Sequence, residues 1–241
     1  MIFRKISIGI VGVFACTVAQ AFQFQATDAE WAAWPEYCKA RYATVRVGKS
    51  LGYDRRISPG EVERWQSIVG PDAWYGLHHM CAGMSFMDRA KAESNPSKRE
   101  SLVKSAMSNY GYMLRHTPPS DPFHAETLTR IGLAYEETGN RNAAQSHFAQ
   151  AIATNPSYSG GYLGQYKIYR DSGEIRKARE ILEQGDLATG GTSAEIKYFL
   201  GLVSLELGDR QAALDYAREA YSLGYQLPAL RDRLAKAGLA L

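Results

Sequence analysis

This sequence lacks an excess of charge of either sign. It carries 28 Lys and Arg against 25 Asp and Glu. That near-balance excludes a strongly basic nucleic-acid binder and an acidic solvating tail as the default classes. Glycine and proline are not in excess, and hydrophobic residues make up 45% of the chain, so it can bury a real core. Long apolar runs are missing after residue 21. The one run before it, Ile6 to Ala19, follows Arg4 and Lys5 and is too short for a comfortable bilayer span. Ala19-Gln20-Ala21 then supplies the small-x-small pattern cleaved by a signal peptidase. Residues 1–21 therefore read as a removable export signal. The expected protein is periplasmic or secreted, with no integral membrane segment after cleavage. A lipoprotein signal, with Val13-Phe14-Ala15 leading into Cys16, is the alternative. Phe14 is bulky for such a site, and it leaves Ala19-Gln20-Ala21 unexplained.

Cysteine is scarce too. Of three residues, Cys16 would leave with the signal, and Cys38 and Cys81 would remain. An even pair in an exported chain is a disulfide candidate. Cys81 sits in WYGLHHMCAG, residues 74–83, where His78 and His79 raise the question of a metal site. Each helical residue advances about 100°, so His78 and Cys81 stand about 60° apart and His79 and Cys81 about 160°. All three cannot face one ion on an unbroken helix. A structural zinc site wants four ligands, and Cys38 is the only obvious addition. Three states stay open at this point: a Cys38–Cys81 disulfide, two free thiols, and a metal or thiol-based site at Cys38, His78 and Cys81.

Nucleotide and acid–base motifs are also absent. ATVRVGKS (43–50) has Ala43 where a phosphate-binding loop needs glycine, and GGYLG (160–164) lacks dinucleotide spacing. Glu136 and Glu137 are adjacent and point apart. His116, His124 and His147 have no nucleophile at a suggestive spacing. No enzyme activity and no cofactor are expected.

What is present is a 34-residue period. Residues 125–158 read AETLTRIGLAYEETGNRNAAQSHFAQAIATNPSY. Leu128, Ile131, Gly132, Tyr135, Ala144, Phe148, Ala151 and Pro156 stand at places four, seven, eight, eleven, twenty, twenty-four, twenty-seven and thirty-two. Gly132 and Ala144 allow two antiparallel helices to approach, the larger residues fill between them, and Pro156 ends the second helix. On these places the segment resembles a tetratricopeptide repeat. The pattern recurs with Tyr162, Tyr169, Ala178 and Leu182, although Tyr166 replaces the small residue at eight. It recurs again with Leu200, Gly201, Ala213, Ala217 and Ala220, after a one-residue shift at Gly190-Gly191. Pro228 to Leu241 reads as a final helix covering the stack.

Upstream, placing Trp74 at four puts His78 at eight and Cys81 at eleven, with Ala106, Tyr110 and Met113 on the second helix. An insertion of about sixteen residues lies between. Ser58-Pro59-Gly60-Glu61 starts a helix, and residues 28–47 read as another. The expected fold is all-α, an α-solenoid of antiparallel helix pairs. Its units would be an N-terminal helical extension (22–70), a degenerate pair with an insertion (71–124), three repeats (125–158, 159–193, 194–227) and a capping helix (228–241).

The resemblance implies a concave groove lined by places two, five, six, nine, twelve and thirteen of each first helix. By alignment these are Asp72, Tyr75 and His79, then Glu126, Thr129, Arg130, Leu133 and Glu136, then Leu163, Lys167 and Arg170, and last Tyr198, Phe199 and Leu202. Arg130, Lys167 and Arg170 would meet a carboxylate or an acidic peptide, and the aromatics would serve as anchors. The implied function is protein or peptide binding, as an adaptor or assembly factor in the cell envelope. Self-assembly through the stack ends or through Met84, Phe86 and Met87, giving a homo-oligomer, is a further expectation.

Overall fold

The computed structural model describes residues 22–241; the expected leader, residues 1–21 with Cys16, lies outside the described residues. Caps set where its helices begin. Thr27 with Glu30, and Ser58 with Glu61, form capping boxes at α1 (Asp28–Ala33) and α4 (Pro59–Val69). The single helix expected over 28–47 is broken. Trp34 precedes a proline and is driven into an extended conformation (φ −70°, ψ 148°), which ends α1. The chain restarts as α2 (Glu36–Thr44) and breaks again at extended Val45. It continues as α3 (Arg46–Ser50) and a 3-10 turn at Tyr53–Arg55.

Long helices follow. α5 (Pro71–Ala92) pairs with α6 (Pro96–His116), α7 (Pro122–Glu137) with α8 (Arg141–Thr154), α9 (Ser159–Asp171) with α10 (Ile175–Ala188), and α11 (Ala194–Glu206) with α12 (Arg210–Ser222). A short α13 (Ala229–Lys236) completes the chain, and no strand occurs among the described residues. Each pair packs on the next in chain order, which makes the protein an α-solenoid.

The pairs close through glycine against an aromatic ring. A Cβ on Gly132 would lie 2.5 Å from the Phe148 ring, and one on Gly164 of the next pair 2.4 Å from the same ring. Phe148 is thus fully buried between two units. Gly139, Gly173 and Gly208 recur in the turns within pairs at φ of 76°, 76° and 81°, the left-handed region that favours glycine. Gly190 and Gly191 are also left-handed, and they absorb the extra residue between α10 and α11.

Both ends of the stack are covered. Leu230 and Leu234 of α13 are fully buried, Leu230 against Gly201 of α11. At the other end α1–α4 pack on α5. Trp34 Nε1 donates to Ser85 Oγ at 3.0 Å, the Phe24 and Phe86 rings lie 5.1 Å apart, and Arg89 Nε donates to Glu30 at 2.7 Å. Thr127 of α7 instead donates to Met80 Sδ at 3.7 Å. Met80 stands roughly 140° around α5 from Ser85. The extension therefore occupies the side of α5 where a preceding repeat would stand.

Candidate ligand groove

The first pair has a different register from the one expected. A Cβ on Gly83 would fall 2.4 Å from the Tyr110 ring, the same contact that Gly132 makes with Phe148. Gly83 therefore occupies place eight. His78 has a side chain too large for that role and turns toward the extension, with Phe22 at 4.5 Å. Place nine becomes Met84, and places twelve and thirteen become Met87 and Asp88. The signal for this register was a small residue, Gly83, five positions beyond His78.

Those three residues line one of two adjoining hollows on the inner face. The first, about 490 Å³, runs between α5 and α7 past Met84, Met87, Asp88, Tyr110 and Leu133. The second, about 510 Å³, runs between α7, α9 and α11 past Thr129, Leu133, Tyr158, Leu163, Tyr166, Glu195 and Phe199. They share Arg130, Leu133, Lys167 and Asp171, so a single groove crosses the first helices of four pairs. Leu133 at its centre is 41% exposed. Of the expected residues, Thr129, Arg130, Leu133, Glu136, Leu163, Lys167, Arg170 and Phe199 line it, and Glu126 stands beside Arg130.

The family model for the tetratricopeptide repeat matches residues 125–158, the α7–α8 pair and its flanking turn. The chain therefore contains a tetratricopeptide repeat (TPR) at α7–α8. That repeat implies a protein-binding or adaptor role. No curated protein matches the sequence. Among solved structures it is similar to a thermophilic TPR protein of Thermus thermophilus, at 22% identity over 69% of this chain and 94% of that one, with a TM-score of 0.46. It is also similar to a MamA protein, at 19% identity over 86% of this chain and 99% of that one, with a TM-score of 0.45. Neither superposition carries the assignment, which rests on the matched repeat and the pairing of the helices.

Tyr75, His79 and Tyr198, expected in the groove, lie elsewhere in the stack. His79 Nδ1 donates to Asn109 Oδ1 at 2.8 Å, and the ring stacks on Tyr112 at 3.8 Å. Tyr75 is 57% exposed and lies against Tyr112 and His116. With Gly83 at place eight, both point about 140–180° away from Met84, toward α6. Tyr198 is 3% exposed because Tyr225, in the chain after α12, lies 4.4 Å from its ring. The proposed self-association residues are also engaged: Phe86 is covered by Phe24 and Arg89, and Met87 is buried.

The basic trio is already neutralised. Arg130 Nε donates to Glu126 at 3.0 Å, and the Tyr37 hydroxyl donates to the same carboxylate at 3.4 Å. Burial works against the Arg130 charge, but Glu126 outweighs it and raises the Arg130 pKa. Burial and the Glu126 charge push the Tyr37 phenol up to about 12. Lys167 bridges Glu136 and Asp171, the latter at 2.8 Å. Arg170 stands 3.9 Å from Glu206. The reason is local: Glu126/Arg130 and Lys167/Asp171 are four apart on a helix and meet on its surface. Glu195 is different. It has no hydrogen-bond or ion-pair partner among the described residues, and desolvation raises its pKa.

Cys38 and Cys81 are both fully buried, with Cα atoms 5.7 Å apart and sulfur atoms at bonding distance (2.01 Å). No group of three or more His, Cys, Asp or Glu converges as a metal cage among the described residues. His78 is 8% exposed, and its Nδ1 has no partner. Burial first, then the charges of Arg41 and His79, push its pKa down to about 2. It is a neutral packing residue between the extension and α5. No described helix is long and apolar enough to cross a membrane.

Proposed function

We propose that this protein acts as an adaptor or assembly factor in the cell envelope, binding a peptide segment of another protein along the inner groove. The observation that carries this is the open, continuous groove across α5, α7, α9 and α11, with apolar Met84, Leu133, Leu163 and Phe199 on rigid helices. Preorganised helices lose little freedom on binding, so contact area converts efficiently into affinity. Export and cleavage after Ala21 are part of the proposal. They are supported by the leading sequence and by the buried Cys38–Cys81 pair, which an oxidising compartment would keep bonded.

A photo-crosslinking amino acid at position 133 tests the binding face. Covalent adducts in an envelope fraction should form there and be absent when the same group replaces convex Leu187, which is 84% exposed. Equal adduct yields at both positions would overturn the groove assignment. Intact mass of the exported protein tests the rest: a chain beginning at Phe22 and lacking two protons is expected, and a retained leader or two free thiols would overturn it.

A further inference from the structure

The second hollow of the proposed peptide-binding groove holds one charge without an ion-pair partner, the exposed Glu195, and its sign is opposite to the one the basic trio suggested. Arg130, Lys167 and Arg170 each face a carboxylate, whereas Glu195 has no cation paired with it. Glu195 lies in the first turn of α11, at the end of the second hollow, beside apolar Leu163 and Phe199. In the same lining, the hydroxyls of Thr129 and Tyr166 are buried without a partner, in side chains 6% and 4% exposed. A carboxylate can only accept hydrogen bonds, and the two hydroxyls can accept as well. The complementary group is rich in donors, positively charged and carried on an apolar stem.

We infer that the hollow between α7, α9 and α11 receives a lysine or arginine side chain of the partner polypeptide, its stem against Leu163 and Phe199 and its cationic head on Glu195. This rests on the groove being the binding face. A lysine or arginine buries its methylenes along apolar surface while its head seeks a polar partner. An unpaired carboxylate next to that surface supplies the partner and rejects an acidic residue at the same place. In the first hollow Glu137 and Arg141 also lack an ion-pair partner, but their charges are opposite, so the partner segment needs no net charge beyond this anchor.

Selection of a displayed random-peptide library on the full chain tests this. The enriched peptides are resynthesised and titrated against wild type, Glu195→Gln, Glu195→Lys and Leu163→Arg, each variant checked for an unchanged thermal midpoint. The expected result is enrichment of a basic residue beside an apolar one and binding about tenfold weaker to Glu195→Gln. Glu195→Lys should select an acidic residue instead, and Leu163→Arg should abolish binding. Peptides that lose binding with Leu163→Arg, yet carry no basic residue or ignore Glu195→Gln, would overturn the cationic anchor and leave the groove standing. Peptides indifferent to Leu163→Arg, or no enrichment at all, would overturn both.

Discussion

The pairs α5–α6 and α7–α8 share one close contact and differ in nearly everything around it. Gly83 meets Tyr110 as Gly132 meets Phe148, but 27 residues separate the first two and 16 the second. The helices of the first pair are 22 and 21 residues long, against 16 and 14 in the second. Extra helical turns need extra cover. The extension α1–α4 supplies it with Trp31, Trp34, Tyr42 and Tyr53, which join α5 and α6 in one large core. The regular repeats bury smaller clusters between neighbours, such as Ala144, Phe148 and Ile168. A repeat of standard length is stabilised by adjacent units; a longer one borrows stability from distant parts of the chain.

Removing the distant link should have the largest effect. Replacing Cys38 and Cys81 together by alanine is expected to cost about 4 kcal/mol by loop entropy over the 43-residue separation. Denaturant unfolding measures the loss, and hydrogen exchange should show it in α1–α6 before α9–α13. Uniform loss of protection along the chain would contradict the division drawn between the two halves.

Next come the two glycines. Gly83→Val and Gly132→Val each drive a methyl-bearing carbon into a buried ring and should cost up to about 3 kcal/mol. A neutral Gly83→Val would show that place eight of the first pair lies elsewhere.

A smaller, pH-dependent effect separates the halves further. His78 is neutral when folded, with its pKa near 2, and titrates near its ordinary 6.5 when unfolded. Below pH 6.5 the unfolded chain takes up a proton that the folded chain does not, so stability falls with pH, and the loss saturates near pH 2. Between pH 6.5 and 5 this amounts to about 2 kcal/mol, at about 1.4 kcal/mol per unit. His78→Leu should flatten that slope; an unchanged slope would assign the pH dependence to other groups.

The smallest change is expected at the groove. Arg170 and Glu206 are 39% and 41% exposed at 3.9 Å, so Arg170→Ala should alter stability by no more than about 0.5 kcal/mol. A larger change would mean that the groove charges hold the stack together as well as line it.

Much of the stack was legible because its contacts are local. The eight matched places of residues 125–158 concern side chains on neighbouring helices, and a 34-residue period repeats their spacing. The extension was less readable. Its breaks at Trp34 and Val45 serve contacts such as Trp34 with Ser85 and Glu30 with Arg89, which are 51 and 59 residues apart. The groove was readable at Leu133, Lys167 and Phe199, where the template holds, and misread at Tyr75 and His79. There Gly76 and Gly83 both offer a small residue, and only the ring each one meets distinguishes them: Gly76 lies against Met113, Gly83 against Tyr110. Tyr198 was misplaced because its cover arrives from the chain beyond α12.

The sequence by itself determined that this protein is a row of paired helices, since helix periodicity, small residues at close approaches and turn glycines all act over one repeat length. Only the tertiary structure decided which charges in the groove remain free. Arg130, Lys167 and Arg170 counted as a basic surface along the chain, but charges are balanced through space, and there each has a carboxylate beside it while Glu195 has no counter-charge.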